Sequence, residues 1–194
     1  MLQQLWFYMI LGINHVLDWN GYDHVLFLVA LALPYTFRQW KSLLLLVSTF
    51  TVAHCLSLVL SIYGLVPVNM EFIEFLISVT IFCMAIFTCI VSVKDKYQKG
   101  NLRYILTALF GIIHGFGFSN YFKMLVPVKE EQVITLIGFA TGIEIAQALI
   151  ALFMLFLAYV VSTKLNVKKE QYMMGMSIGV LFVTLPMLYK AFPW

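Results

Sequence analysis

Charged residues are scarce in this chain. Asp, Glu, Lys and Arg make up only 11% of its 194 residues, whereas 62% are hydrophobic, and the mean hydropathy is +0.94. Soluble globular domains normally carry about 25% charged residues. The composition therefore excludes a separate soluble domain and predicts an integral membrane protein whose surroundings are the lipid bilayer.

Cysteine is also scarce, and the motifs of several enzyme classes are missing. Cys55, Cys83 and Cys89 lie inside apolar runs, where cysteine behaves as a small hydrophobic residue. The chain lacks a sulfur-rich Cu(I) pattern, an HExxH zinc motif and a nucleotide-binding loop. Its net charge of +3 does not indicate nucleic acid, because most basic residues lie between apolar runs, where membrane topology explains them.

Long apolar runs dominate what is present, and they are separated by short polar segments. About 20 apolar residues are needed to cross a bilayer as a helix. We therefore predict an all-α, polytopic transmembrane helical bundle with about six spans and a short or re-entrant N-terminal helix that is broken near residues 18–22. Residues 1–194 are expected to form a single transmembrane domain. The apolar segments are 2–17, 22–37, 41–64, 71–93, 103–126, 132–163 and 171–192.

The basic residues predict the topology. Most of them lie in segments 38–41, 94–103 and 164–169, which alternate with segments of little net positive charge. Cytoplasmic loops are enriched in Lys and Arg, so these three segments are expected in the cytoplasm and both termini outside. No cleavable signal peptide is recognised at the N-terminus. We expect a bacterial cytoplasmic (inner) membrane as the location.

All four histidines lie within or at the ends of apolar runs, as do several carboxylates. A charged side chain at bilayer depth costs from roughly 3 to more than 10 kcal/mol, so each one is a functional candidate. Imidazole nitrogen and carboxylate oxygen together suit a divalent transition metal such as nickel, cobalt or zinc. A metal or proton site is the leading interpretation, and a purely structural polar network is the alternative.

The stretch GINHVLDWNGYDHV interrupts an apolar run with polar residues. Asp18, Asn20 and Gly21 favour a turn. Unpaired backbone at membrane depth is tolerated where it lines a protein cavity, as in the broken helices of transporters. Of Asp23 and His24, which open the next helix, we expect one to ligate a metal and the other to support it. Helix capping is the alternative role for Asp23.

Two further segments place polar groups on one face of an apolar helix. In FTVAHCLSLVLS, helical spacing aligns Thr51, His54 and Ser57, and this face is expected to point into the bundle. In EFIEFLISVT, Glu71 is expected at the membrane interface and Glu74 deeper. His54 and Glu74 are therefore added to the candidate metal residues.

The later part of the chain supplies one more histidine and one more carboxylate. His114 lies among glycines in FGIIHGFGFSN, so neighbouring backbone can approach it closely, although tight packing alone would also explain the glycines. Glu144 and Gln147 share a face of GFATGIEIAQAL. A carboxylate in so apolar a run needs a cation or a proton.

In the order and spacing of these motifs the chain resembles the HupE/UreJ family of polytopic membrane proteins, whose hydrogenase- and urease-associated members are regarded as nickel or cobalt permeases. Phe110 and Gly117 stand where that branch tends to carry a histidine and a glutamate, so the chain is more similar to a second, less characterised branch. The resemblance implies that the metal-handling residues are His15, Asp23, His24, His54, Glu74, His114 and Glu144.

The sequence thus supports three functions. The first is a permease for a divalent transition metal, with nickel or cobalt as its ion. The second is an intramembrane zinc-dependent hydrolase, because three histidines and a carboxylate can hold zinc with one position open to water. The third is a structural or assembly subunit of a membrane complex. The metal ion is the expected partner in the first two, and a second copy of the chain or another membrane protein is left open as a further partner.

Overall fold

The fold is described here from a computed structural model, which covers residues 2–19, 21–94, 102–125 and 132–193. Within these ranges the chain is helical, with seven α-helices, one short 3-10 turn at Phe37–Gln39 and no strands. The basic loop at 95–101 and the loop at 126–131 lie outside the described residues. The helices are α1 (Leu2–Val16), α2 (Asp23–Ala32), α3 (Trp40–Ile62), α4 (Met70–Lys94), α5 (Leu102–Leu125), α6 (Gln132–Lys164) and α7 (Lys169–Ala191).

Five of these helices, α3 to α7, are long and apolar enough to cross a membrane. The predicted all-α membrane bundle is confirmed. The first two apolar segments form the separate helices α1 and α2, which have 15 and 10 residues and are each shorter than one span. The break between them falls at the polar residues that predicted it. The crossing expected from these segments is therefore divided between two short helices.

Helix α6 is a single continuous helix of 33 residues. At 1.5 Å per residue it is about 50 Å long, which exceeds the ~30 Å hydrocarbon core of a bilayer. The long apolar run at 132–163 therefore does not hide a second crossing. The excess length fits a helix that is tilted or that protrudes from the bilayer.

The closest helix pairs are α3 with α5, α1 with α6, and α4 with α7. Glycines allow the first two pairs to approach backbone to backbone. A Cβ added at Gly12 or Gly142 would overlap a carbonyl oxygen of the facing helix, on Phe139 or Met9 respectively. Small residues at such crossings permit close packing between helices in membranes. The polar break at the end of α1 is thereby fixed against the bundle.

The end of α2 is held by basic residues that begin two other helices. Arg103, in the first turn of α5, donates to the hydroxyl of the buried Tyr35 at 3.1 Å. Lys169, which begins α7, donates to the carbonyl of Pro34 at 2.7 Å. Residues from two of the three basic segments therefore meet at one end of the bundle.

Substitution of Gly142 should test the close approach of α1 to α6. In Gly142→Ala the new methyl group meets the Met9 carbonyl, and overpacking of this kind costs about 1–3 kcal/mol. We expect the melting temperature of the purified protein to fall by several degrees, at ~2–4 °C per kcal/mol. Thermal unfolding in detergent measures this.

Gly175→Ala is the matched control, because nothing lies within 4 Å of a Cβ added at Gly175 in the middle of α7. This variant should melt at the wild-type temperature or above it. Equal stability of the two variants would show that α1 does not pack against α6 as described.

Candidate metal centre

The polar break between α1 and α2 forms a tight turn. The backbone N–H of Gly21 donates to the carbonyl of Asp18 at 3.2 Å. A Cβ added at Gly21 would lie 3.7 Å from a carboxylate oxygen of Asp23 and 3.9 Å from one of Asp18. The predicted turn is confirmed, and it places two carboxylates on either side of a residue without a side chain.

Helix α2 begins at Asp23, directly after this turn, and its first two side chains form a pair. Nδ1 of His24 lies 3.2 Å from Oδ1 of Asp23. When Nδ1–H donates to the carboxylate, the lone pair of the ring is left on Nε2. Carboxylates that accept from histidine in this way fix the ring for metal binding. The geometry matches the expectation that one of these residues supports the other.

Three histidines from three helices come together next to this pair. The ligand atoms that His15, His24 and His54 can offer all lie within 4.8 Å of one another. The ring centroids of His15 and His24 are 4.6 Å apart, and that of His54 is 5.7 Å from the first and 5.6 Å from the second. Residues 39 positions apart in the chain therefore meet at one point in the bundle.

The nitrogens of this group lack hydrogen-bond partners. Nε2 of His15, Nε2 of His24 and both ring nitrogens of His54 are buried, and none of them contacts a donor or acceptor among the described residues. His54 is fully buried and His24 is 2% exposed. Buried polar atoms are normally satisfied, and each unsatisfied one costs about 1–3 kcal/mol. The group therefore has the character of a binding site awaiting a ligand.

His114, from α5, borders the same group. Its ring centroid lies 5.3 Å from that of His24, and its Nδ1 donates to the carbonyl of Phe110 at 2.8 Å. Its Nε2 is buried and has no partner within the described structure. The backbone bond selects the tautomer with the lone pair on Nε2. All four histidines of the chain thus converge.

Glycines on α5 allow His54 and His114 to approach each other. A Cβ at Gly111 would meet the carbonyl oxygen of Phe50 at 2.6 Å, and one at Gly115 would overlap Ser57 and the carbonyl of His54. The glycines around His114 therefore serve close packing against α3. The two interpretations left open at these glycines describe the same contact, since the packing brings the rings together.

A cavity of about 1150 Å³ leads from the surface of the bundle to the histidines. It lies where α1 ends and α2 begins, beside the first turns of α4 and the last turns of α5 and α7. Its wall includes polar and apolar groups in similar amounts. Its polar side chains include His15, Asp23, His24, Glu74, His114 and Lys190.

Aromatic side chains close the group on the side away from this cavity. Phe27 and Phe50 are fully buried and stack with centroids 4.9 Å apart. Phe50 lies 5.2 Å from the ring of His114 and 6.0 Å from that of His24. Phe110 contacts Phe27 edge to face at 5.7 Å. We call Phe27, Phe50 and Phe110 the aromatic floor.

Glu144 lies in a different polar network, between α6 and α3. Its two carboxylate oxygens accept hydrogen bonds from Ser48 and Thr51, each at 2.5 Å. Thr51 also lies 3.0 Å from the side-chain oxygen of Gln147. Neither the cavity wall nor the histidine group includes Glu144 in the part of the chain that the structure describes.

The structure thus sorts the seven candidate residues by position. His15, His24 and His54 form the group, Asp23 and His114 border it, Glu74 lies on the cavity wall nearer the surface, and Glu144 is separate. Sequence reasoning missed the aromatic floor and the contact of Ser48 with Glu144. Ser48 and Thr51 are three residues apart on an apolar helix, so their helical spacing was a signal for the second of these.

Comparisons with known proteins agree with the motif-based resemblance. A family model described as HupE / UreJ protein matches residues 1–190. Neither the curated proteins nor the solved structures give a match to the chain.

Cysteine labelling should test the cavity. Ser78 lies on its wall, whereas Ser119 is buried outside it and donates to the carbonyl of Phe116. In a background without the three native cysteines, we expect Ser78→Cys to react with a small charged thiol reagent at least about tenfold faster than Ser119→Cys. The labelled fraction over time is the measurement. Equal protection at both positions would show that no water-filled path reaches Ser78.

Proposed function

Because the chain belongs to the HupE/UreJ family, we propose that it is a permease for a divalent transition-metal ion, which it holds within the bilayer at His15, His24 and His54. Nickel and cobalt are the first ions to test, and zinc is the third. The ion is the transported substrate, and the four converging histidines are the means of binding it.

One observation carries this proposal: three buried imidazoles present unpartnered nitrogens to a common point at the end of a polar cavity. A purely structural network would satisfy its nitrogens with hydroxyls or carbonyls, as Nδ1 of His114 is satisfied by Phe110. A divalent cation satisfies several imidazole lone pairs at once, and neutral imidazole is a common ligand for these metals.

The spacing of the ligands suits a site from which the ion must leave. Three nitrogens at about 2.1 Å from a tetrahedral metal lie roughly 3.4 Å apart. The nitrogens here lie within 4.8 Å, so the rings must move together to close on an ion. A permease needs binding that is strong enough to admit the ion and weak enough to release it.

Charges on the cavity wall favour the entry of cations. Asp18, Asp23 and Glu74 line the cavity together with a single lysine, Lys190. A cleft in which one sign of charge predominates raises the local concentration of oppositely charged ions. We propose that Glu74 attracts the ion at the mouth and that Asp23 acts deeper, by orienting His24.

The orientation of the protein follows from the same model of transport. Arg103 and Lys169 begin α5 and α7, and the cavity lies at the last turns of these helices. Positive-inside bias then places the basic end in the cytoplasm and the cavity mouth outside. We propose that the chain lies in a bacterial cytoplasmic membrane and takes up its ion from outside.

The size of the cavity supports a second candidate function. Its volume of about 1150 Å³ far exceeds what a single ion needs. Three histidines with an open position for water can form a catalytic zinc site, and Glu74 on the wall could then act as a base. Tightly held zinc, together with cleavage of a lipid or peptide by the purified protein, would favour an intramembrane hydrolase over a permease.

Substitutions in the histidine group should remove metal binding. We expect the wild-type protein to bind one divalent ion, and His24→Ala and His54→Ala to lose this binding. Asp23→Asn should bind about 10–100-fold more weakly, because the carboxylate no longer fixes the ring of His24. Calorimetric titration with nickel, cobalt and zinc gives the affinities, and uptake into proteoliposomes should follow the same order.

Glu170→Gln is the control for Asp23→Asn, because Glu170 is exposed in the first turn of α7. It should bind and transport as the wild type does. Unchanged binding and uptake in both histidine variants, with folding intact, would refute the proposal and leave a structural role for these residues.

The aromatic floor should control passage beyond the histidines. Phe50 is fully buried beneath His24 and His114, so we propose that an ion can pass only when it moves. We expect Phe50→Ala to make proteoliposomes leak the loaded ion several times faster than Phe50→Leu, which keeps most of the volume. Efflux of entrapped nickel is the measurement. Equal, slow efflux from both variants would place the barrier elsewhere.

A further inference from the structure

The polar network between α3 and α6 contains a second group of buried oxygen atoms. Ser48 and Thr51 each contact one carboxylate oxygen of Glu144, and Gln147 completes the group. Gln147 is fully buried, and its side-chain nitrogen has no hydrogen-bond partner among the described residues. Within the described ranges no Lys, Arg or His forms an ion pair with Glu144.

We infer that Glu144, Ser48, Thr51 and Gln147 form a proton-binding site that is separate from the histidine group, with the carboxyl group of Glu144 as the carrier of the proton. This inference extends the proposed permease and supplies the ion that is exchanged for the metal. The step is a simple transfer: a proton binds to a carboxylate oxygen of Glu144 and leaves it again as H⁺, without redox change.

Distances favour a proton over a metal cation at this site. Each contact between Glu144 and a hydroxyl is 2.5 Å long, which is the length of a strong hydrogen bond to a carboxylate. Two oxygens that share even the small Mg²⁺ at right angles lie about 2.9 Å apart. The hydroxyls would have to move away from the carboxylate before a cation could fit between them.

The count of hydrogen atoms also favours a proton. The single hydroxyl proton of Thr51 has acceptors on Glu144, Gln147 and Val47 within reach. If Glu144 is ionised, Thr51 donates to it and the oxygen of Gln147 receives nothing from Thr51. If Glu144 is protonated, it donates to Thr51, which then donates to Gln147. Ser48 donates to the other carboxylate oxygen in both cases, so the added proton completes the chain.

Few other titratable groups face this site. Cys55, on α3, is the one whose interaction with Glu144 is electrostatically significant. On α1, His15 contacts α6 at Phe139, with ring centroids 5.5 Å apart, and α2 brings Asp23 and His24 beside His15. The buried titratable group of α7 is Tyr172. None of these donates to or accepts from Glu144 in the described structure.

The proton and the metal should bind antagonistically. Thr51 and His54 lie one turn apart on α3, so a divalent ion at the histidines is close enough to stabilise the ionised form of Glu144. Conversely, a proton on Glu144 removes that stabilisation, and the effect must be equal in both directions. Metal binding then expels the proton, which is the behaviour required for exchange of the two ions.

Infrared difference spectroscopy on the purified full-length protein tests the site itself. Metal-free wild-type protein should show the carbonyl stretch of a protonated carboxyl that disappears as the pH rises, and Glu144→Gln should lack this band. Thr51→Val should keep the band at a shifted frequency, because one hydrogen bond is lost. In Thr49→Val, whose native hydroxyl bonds only to the carbonyl of Leu45, the band should stay unshifted.

Proton release on metal binding tests the coupling. In weakly buffered solution, Glu144→Gln should bind nickel with one-to-one stoichiometry but release about one proton fewer per ion than the wild type. Glu170→Gln should release as many as the wild type. Equal release by Glu144→Gln and the wild type would overturn the inference.

Two further outcomes separate this inference from the proposed function. Loss of nickel binding in a folded Glu144→Gln protein would make Glu144 a metal ligand and overturn the proton site. If the wild-type protein binds no metal, the permease proposal fails, and the carboxyl band in metal-free protein still decides whether Glu144 holds a proton. If Glu144→Gln does not fold, the band shift in Thr51→Val decides in its place.

Discussion

Satisfaction of buried polar groups without water is the constraint on which the rest of this structure depends. In the hydrocarbon region each backbone and side-chain polar atom must find its partner within the protein. Most hydroxyls here do so on their own helix, as Thr184 does with the carbonyl of Val180. The nitrogens of His15, His24 and His54 do not. The contrast within one bundle distinguishes side chains that hold helices together from side chains arranged around a ligand.

Close backbone contacts bring those nitrogens together. Gly115 lets α5 approach the carbonyl of His54, and Gly142 lets α6 approach Met9 on α1. Without these approaches the helices would pack at the usual distance of about 8–10 Å or more, set by their side chains. The histidine rings would then stand too far apart to share one ion. The glycines and the histidines are therefore parts of one device, although only the histidines carry the chemistry.

Much of this arrangement could be predicted from the sequence, because the energetic cost of polar residues in apolar runs is local information. The break at Asp18, the pairing of Asp23 with His24 and the inward face of His54 follow from turn propensity and helical spacing. The separation of Glu144 from the histidines could not be predicted in that way. It depends on which of several neighbouring helices α6 faces at that depth, and a single sequence does not contain the pairing of faces.

The two polar sites share α3, and this sharing gives the helix a role that neither site shows alone. Ser48 and Thr51 turn toward α6, while His54, one turn further on, meets rings from α1, α2 and α5. Phe50 lies between these positions in the chain and belongs to the aromatic floor. A shift or rotation of α3 would therefore change the carboxylate contacts, the floor and the histidine group together. Coupling between sites requires an element whose alternative positions both ligands can bias. Among the helices of this bundle, α3 has the contacts to be that element.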